Sequence, residues 1–159
     1  GGGRPISAVA GRQELLEQFR DQRVMGPGTF NGNPLCIQAA LTTLTILERD
    51  NGAAYQQMAQ VQQQLMNGMD SIASELGIPV RVQGPTGVFG TFIGFDPEQP
   101  LSTLKDLVNT DYGLAARFHQ AIWDEGVGVL CGRWFPSVVH SLDDVGQTLE
   151  AYRRALKKL

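Results

Sequence analysis

The run GPGTFNGNP, Gly26 to Pro34, gathers three glycines, two asparagines and a threonine hydroxyl directly ahead of an apolar segment. Asn33-Pro34 is a helix-start signal, because Asn caps and Pro suits the first helical position. Thr29 lies just before that start, a hydroxyl among backbone N–H groups that few side chains obstruct. Such a grouping can hold a phosphate. Other constellations are weaker. His119 has no cysteine, histidine or carboxylate at ligand spacing except Asp124 and Glu125, which argues against a metal site. His140 precedes the last helix, where a cation is disfavoured, so it reads as a neutral hydrogen-bonding residue with a structural use. No Ser-His-Asp order, nucleophile elbow, Walker pattern or dinucleotide fingerprint is present.

The composition is that of a globular chain. With 159 residues, 42% hydrophobic and 18% charged, it can bury a core in one domain or slightly more. A net charge of −3 gives no general attraction for nucleic acid or an anionic membrane. No apolar run approaches the length of a membrane span. Cys36 and Cys131 sit among apolar neighbours without metal or redox spacing, so they read as buried free thiols, which points to the cytoplasm. Opening on three glycines without Met, the sequence reads as the C-terminal portion of a longer protein.

These residues need a frame. Ile6 to Ala10, after a Gly-rich loop, reads as extended. A short helix is predicted over Arg12–Arg20, with Leu15, Leu16 and Phe19 on one face. From Pro34 to about Glu48, Leu35, Ile37, Leu41, Leu44 and Leu47 recur at helical spacing, and Gly52 reads as the break. In a second long helix Tyr55, Met58, Val61, Leu65, Met69, Ile72 and Leu76 form one apolar stripe. The glutamines opposite, Gln56, Gln57 and Gln60 to Gln64 with Val61 between, read as a solvated face or a packing surface for another domain. IPVRVQG and GVFGTFIGF read as strands, DPEQPLS as a linker, and Tyr112–Glu125 as a helix carrying Leu114, Phe118, Ile122 and Trp123. GVGVLCG and WFPSVV read as a further pair of strands or one broken strand, with Trp134 and Phe135 in the core. Ser141 with Asp143 and Asp144 announces a last helix whose stripe is Val145, Leu149, Tyr152 and Leu156. The order describes a few strands covered by helices, a small α+β domain.

Two of these stretches carry a family likeness. GGGRPISA, Gly1 to Ala8, followed by Gly28-Thr29 and then Asn33-Pro34 at the head of a long helix, resembles the class III pyridoxal-phosphate aminotransferases. The branch closest in pattern is the glutamate-1-semialdehyde aminomutases. The tail EGVGVLCGRWFPSVVHSLDDVGQTLEAYRRAL is similar to the family's end. The resemblance implies the α/β fold of pyridoxal-phosphate-dependent transferases, aspartate-aminotransferase-like. Residues 1–50 would end the large cofactor domain with its phosphate loop and linking helix, and residues 51–159 would form the small C-terminal α+β domain. It also implies that Gly28, Thr29 and Phe30 bind pyridoxal 5'-phosphate, Thr29 reaching the neighbouring subunit's cofactor in a homodimer. Taken alone the loop is a capping turn, since such turns far outnumber phosphate sites; with Gly1 to Pro5 upstream, the balance moves to phosphate.

By the same likeness the lysine that forms the Schiff base lies upstream of Gly1. Lys105, Lys157 and Lys158 sit where nothing would desolvate them, so no catalytic residue is expected within the chain. Arg133 would grip a substrate carboxylate, or is a surface arginine at a strand edge. The activity implied is ping-pong transfer of an amino group from a small-molecule amino donor to a carbonyl acceptor. An aminomutase of the same family and a cofactor-free dimerisation or regulatory module are the alternatives.

Overall fold

The structure, a computed structural model, describes residues 1–159, the side chain of Asn109 apart. The chain divides into two compact units, residues 1–53 and 54–159.

The first unit carries α1 (Gln13–Arg20) and α2 (Pro34–Leu47). Gly2, at φ +56°, lies against α2; a Cβ there would come within 2.7 Å of Thr43 Oγ1 and 3.0 Å of Ala39 O. Only glycine meets both requirements, and this is why small residues occupy that face of α2. The helix starts as expected, Asn33 Oδ1 accepting from the N–H groups of Leu35 and Cys36 at 3.1 and 3.2 Å. No residue of either helix is buried within this unit. Ile6 to Ala10 is without a ladder partner.

The next helix, α3 (Arg49–Leu76), is interrupted near its start: Asp50, Asn51 and Gly52 are all left-handed. Asp, Asn and Gly are the residues that tolerate this conformation, so the break expected at Gly52 spreads over three residues.

In the second unit, β1 (Val80–Gln83), β2 (Phe89–Ile93) and β3 (Arg133–Trp134) form an antiparallel sheet in the order β1-β2-β3. Val80 pairs with Ile93, and Phe89 with Trp134. A 3₁₀ helix (Leu104–Asn109), α4 (Tyr112–Asp124) and α5 (Leu142–Leu156) complete it. Val61, Leu65, Met69 and Ile72 of α3, Phe118 and Ile122 of α4, and Val145, Tyr152 and Leu156 of α5 close over Val80, Phe89, Ile93 and Trp134. The helical stripes read from spacing thus supply most of this core, while Tyr55, at the head of the α3 stripe, is exposed. Trp123, one position off the α4 stripe, is 65% exposed.

Five expectations are corrected. The strand pair after α4 shrinks to β3 and a bridge between Leu130 and Arg133. Cys131 and Gly132, at φ +49° and +74°, turn the chain back between them, and Pro136 has no N–H to extend a ladder. That turn also exposes Cys131, while Cys36 is half-buried, so neither thiol is a buried one. The glutamine face is not wholly solvated: Gln62 is buried, and Gln57 Nε2 donates to Val138 O at 2.8 Å. Beyond the expected linker, Lys105 lies on the 3₁₀ helix, started by a capping box between Thr103 and Asp106. Phe135, read as core, is 55% exposed, whereas Trp134 is in the core.

Candidate functional site

Gly28, Thr29 and Phe30 form one tight turn, closed by the Asn31 N–H donating to Gly28 O at 3.0 Å. A second bond follows at once, from the Asn33 N–H to Phe30 O at 3.1 Å. Thr29 and Phe30 are exposed, Phe30 by 79%. Among the described residues, neither the Thr29 hydroxyl nor the N–H groups of Thr29, Phe30 and Gly32 donate to a protein acceptor. These are the donors a phosphate requires, several at once and unobstructed.

The helix end behind the loop is already committed. Asn33 takes the N–H groups of Leu35 and Cys36, so an anion here would be held by the loop, with the helix dipole as background. The local charge agrees. Helix first turns favour acidic residues, yet α2 has none, and no Asp or Glu occurs from Val24 to Leu47. Arg4 and Ser7 face Phe30 and Gly32 across an open cleft of about 830 Å³ within the first unit. An acid-free, glycine-rich loop with spare N–H donors fits a phosphate group.

Arg133 lies in the second unit, exposed on β3 opposite Gly90, and no ion pair engages it among the described residues. Lys158 is tied to Glu125 at 2.6 Å, and Arg154 shares the same carboxylate. Both cations hold that carboxyl below its ordinary range. His140 Nδ1 accepts from the Ser137 N–H at 3.0 Å, a structural hydrogen bond. His119 is half-buried, and desolvation lowers its pKa. No group of side chains among the described residues could hold a metal ion. Among the described residues no helix is long and apolar enough to cross a membrane.

Asn31 was not singled out by its type, although a short amide in a Gly-flanked loop commonly bonds nearby backbone. Its Nδ2 donates to Gly26 O at 2.8 Å. The carboxamide lies so close to Gly28 that any Cβ there would collide with it.

Fold and loop together define an α/β chain that carries an exposed glycine-rich loop with unengaged N–H donors ahead of an apolar helix. The family model for class-III aminotransferases matches residues 1–156, and the chain belongs to that family. It is 35% identical to the glutamate-1-semialdehyde 2,1-aminomutase of Thermus thermophilus, covering 98% of this chain and 37% of that protein. The aminomutase of the same name from Methanopyrus kandleri is 29% identical, over 100% of this chain and 37% of its own. Among solved structures, an omega-transaminase from Sphaerobacter thermophilus superposes with a TM-score of 0.77 at 25% identity, covering 99% of this chain and 36% of that one. The fold is thus that of the transaminases, and the chain spans little more than a third of the length of these relatives.

Proposed function

We propose that this chain is the C-terminal part of a pyridoxal-phosphate-dependent aminotransferase. In this reading it moves an amino group between a small-molecule donor and a carbonyl acceptor in two half-reactions. The observation that carries the reading is the loop: in a chain of this family, Thr29, Phe30 and Gly32 hold N–H donors with no protein acceptor, ahead of a helix start without acid. Residues 1–50 would complete the large cofactor domain, and residues 51–159 would be the small domain.

Pyridoxal phosphate, the cofactor that family membership indicates, supplies an electron sink for the proton shift at a substrate carbon. The chain's own residues bind and orient. Gly28 leaves room for the Asn31 carboxamide that shapes the loop, Thr29 donates from its hydroxyl and N–H, and the Phe30 N–H adds a third donor. The amine that bonds the substrate-binding carbonyl would come from a lysine N-terminal to Gly1, since Lys158 is engaged by Glu125 and Lys105 and Lys157 are exposed. Arg133, exposed and without an ion pair among the described residues, would take a substrate carboxylate.

A homodimer in which Thr29 serves the neighbouring subunit's cofactor is part of the proposal. Its support is α2, whose Leu35, Ile37, Leu41, Leu44 and Ile46 are all exposed in this chain. A helix apolar on every side belongs in an interior, and the rest of the large domain with a second copy would supply one.

The test is cofactor selectivity in the complete enzyme. Wild type should bind pyridoxal phosphate far more tightly than pyridoxal, and Thr29→Ala should remove roughly tenfold of that preference. Equal affinity of wild type for the two compounds would overturn the reading in favour of a cofactor-free module. An aminomutase is the second reading, favoured by the names of the two relatives above. Turnover of a single amino-aldehyde, with no separate acceptor, would select it.

A further inference from the structure

We propose that Asn31 is the positioning residue that presets the anion-holding loop before any ligand arrives; the proposal rests on the phosphate reading above. Two bonds from this one residue reach back to the start of the loop, Nδ2 to Gly26 O at 2.8 Å and N–H to Gly28 O at 3.0 Å. They close the loop into a ring with Thr29 and Phe30 at its tip. The Asn31 carboxamide fills the space where a Cβ at Gly28 would stand, so glycine and asparagine are fitted to each other.

The physical consequence is preorganisation. A run with three glycines loses more backbone freedom on ordering than any other composition. Without the tie, that loss would fall on ligand binding and weaken it. With it, the loop is ordered on folding and the N–H donors of Thr29, Phe30 and Gly32 are held together. Asn31 donates to backbone carbonyls and needs no contact with the ligand to act this way. An aspartate at 31 would lose the Nδ2 donor and set a negative charge beside the anion.

The experiment compares Asn31→Ala, Asn31→Asp, Gly28→Ala, the double variant Asn31→Ala with Gly28→Ala, and Thr29→Ala in the complete enzyme. The readouts are dissociation constants for pyridoxal phosphate and pyridoxal, and hydrogen exchange in the cofactor-free protein of the amides at 31 and 33, which are bonded to Gly28 O and Phe30 O. Asn31→Ala should weaken pyridoxal phosphate about fivefold to tenfold, leave pyridoxal unchanged and speed exchange of the bonded amides at 31 and 33. Asn31→Asp should weaken the phosphate form further. Gly28→Ala should be harmful alone and add little to Asn31→Ala, because the collision it causes is then gone. A Thr29→Ala variant that keeps the full wild-type preference for pyridoxal phosphate over pyridoxal overturns the phosphate reading itself. If Thr29→Ala loses that preference while Asn31→Ala binds both compounds as wild type with unchanged exchange, or if Gly28→Ala and Asn31→Ala are additive, the positioning role is wrong. Unchanged pyridoxal binding in the same variants reports that the fold is kept.

Discussion

The indole Nε1–H of Trp134 donates to Thr91 Oγ1 at 3.0 Å inside the core of the second unit. Phe89 lies parallel to the same indole, with centroids 5.9 Å apart. Thr91 is therefore a buried polar residue whose role is to satisfy a tryptophan 43 positions away. Thr91→Val keeps the shape and leaves a buried donor without an acceptor, which costs about 1–3 kcal/mol. Urea unfolding of this variant should show that loss, and Thr91→Ser should recover most of it. Equal stability of all three would mean that water reaches the indole.

Gln62 joins α3 to the turn between β1 and β2. Its Nε2 donates to Pro85 O at 2.9 Å, and its Oε1 accepts from the Gly87 N–H at 2.8 Å. Gln62→Leu should destabilise by about 1–3 kcal/mol, since two backbone groups lose their partner. Gln62→Glu should be worse at neutral pH, because a carboxylate cannot donate to Pro85 O. Protection of the Gly87 amide against hydrogen exchange should fall in both variants.

Tyr152 is fully buried and edge-on to Phe118 and Trp134, at 5.5 and 6.3 Å between centroids. Its hydroxyl is buried and has no partner among the described residues, and burial pushes its ionisation well above the ordinary tyrosine range. Tyr152→Phe should hold or raise the thermal midpoint, while Tyr152→Ala should cost about 3–5 kcal/mol through the cavity it leaves. A marked loss in Tyr152→Phe would show that the hydroxyl has a water partner.

Glu125 is bonded by Lys158 and Arg154, and Glu75 by Arg153; both carboxyls titrate below their ordinary value. Each folded pKa lies below the unfolded one, so the stabilisation is complete above the ordinary carboxylate range and is lost as pH falls through the folded value. Stability from these pairs should be level from pH 7 down to about 5 and decline below that. Glu125→Gln should flatten part of the acid limb, and added salt should weaken the same contribution.

Much of the fold was legible before any coordinates. The stripe of Val61, Leu65, Met69 and Ile72, and that of Val145, Tyr152 and Leu156, are buried because 3.6-residue spacing places them on one face. Asn33 and Ser141 cap the helices that their types announce. The phosphate-loop candidates Gly28, Thr29 and Phe30 are adjacent in the chain, so their turn was visible as a motif. Elements that failed were those in which local preference meets a long-range demand. Val127 and Val129 look like strand residues, yet Cys131 and Gly132 fold the chain back before a second ladder can form.

Caps, helical stripes, the left-handed break at Asp50–Gly52 and the family motifs are properties of neighbours within a few residues, and local chemistry specifies them. Packing settles the rest. Gln62 looks like its glutamine neighbours until Gly87, 25 residues on, is brought against it. Cys131 resembles a core thiol until a two-residue turn lifts it to the surface. The tie from Asn31 to Gly26 spans only five residues, but which nearby carbonyl an asparagine takes depends on the folded path of the loop. Hydrogen bonds need both partners within about 3 Å, and only the assembled chain sets that distance.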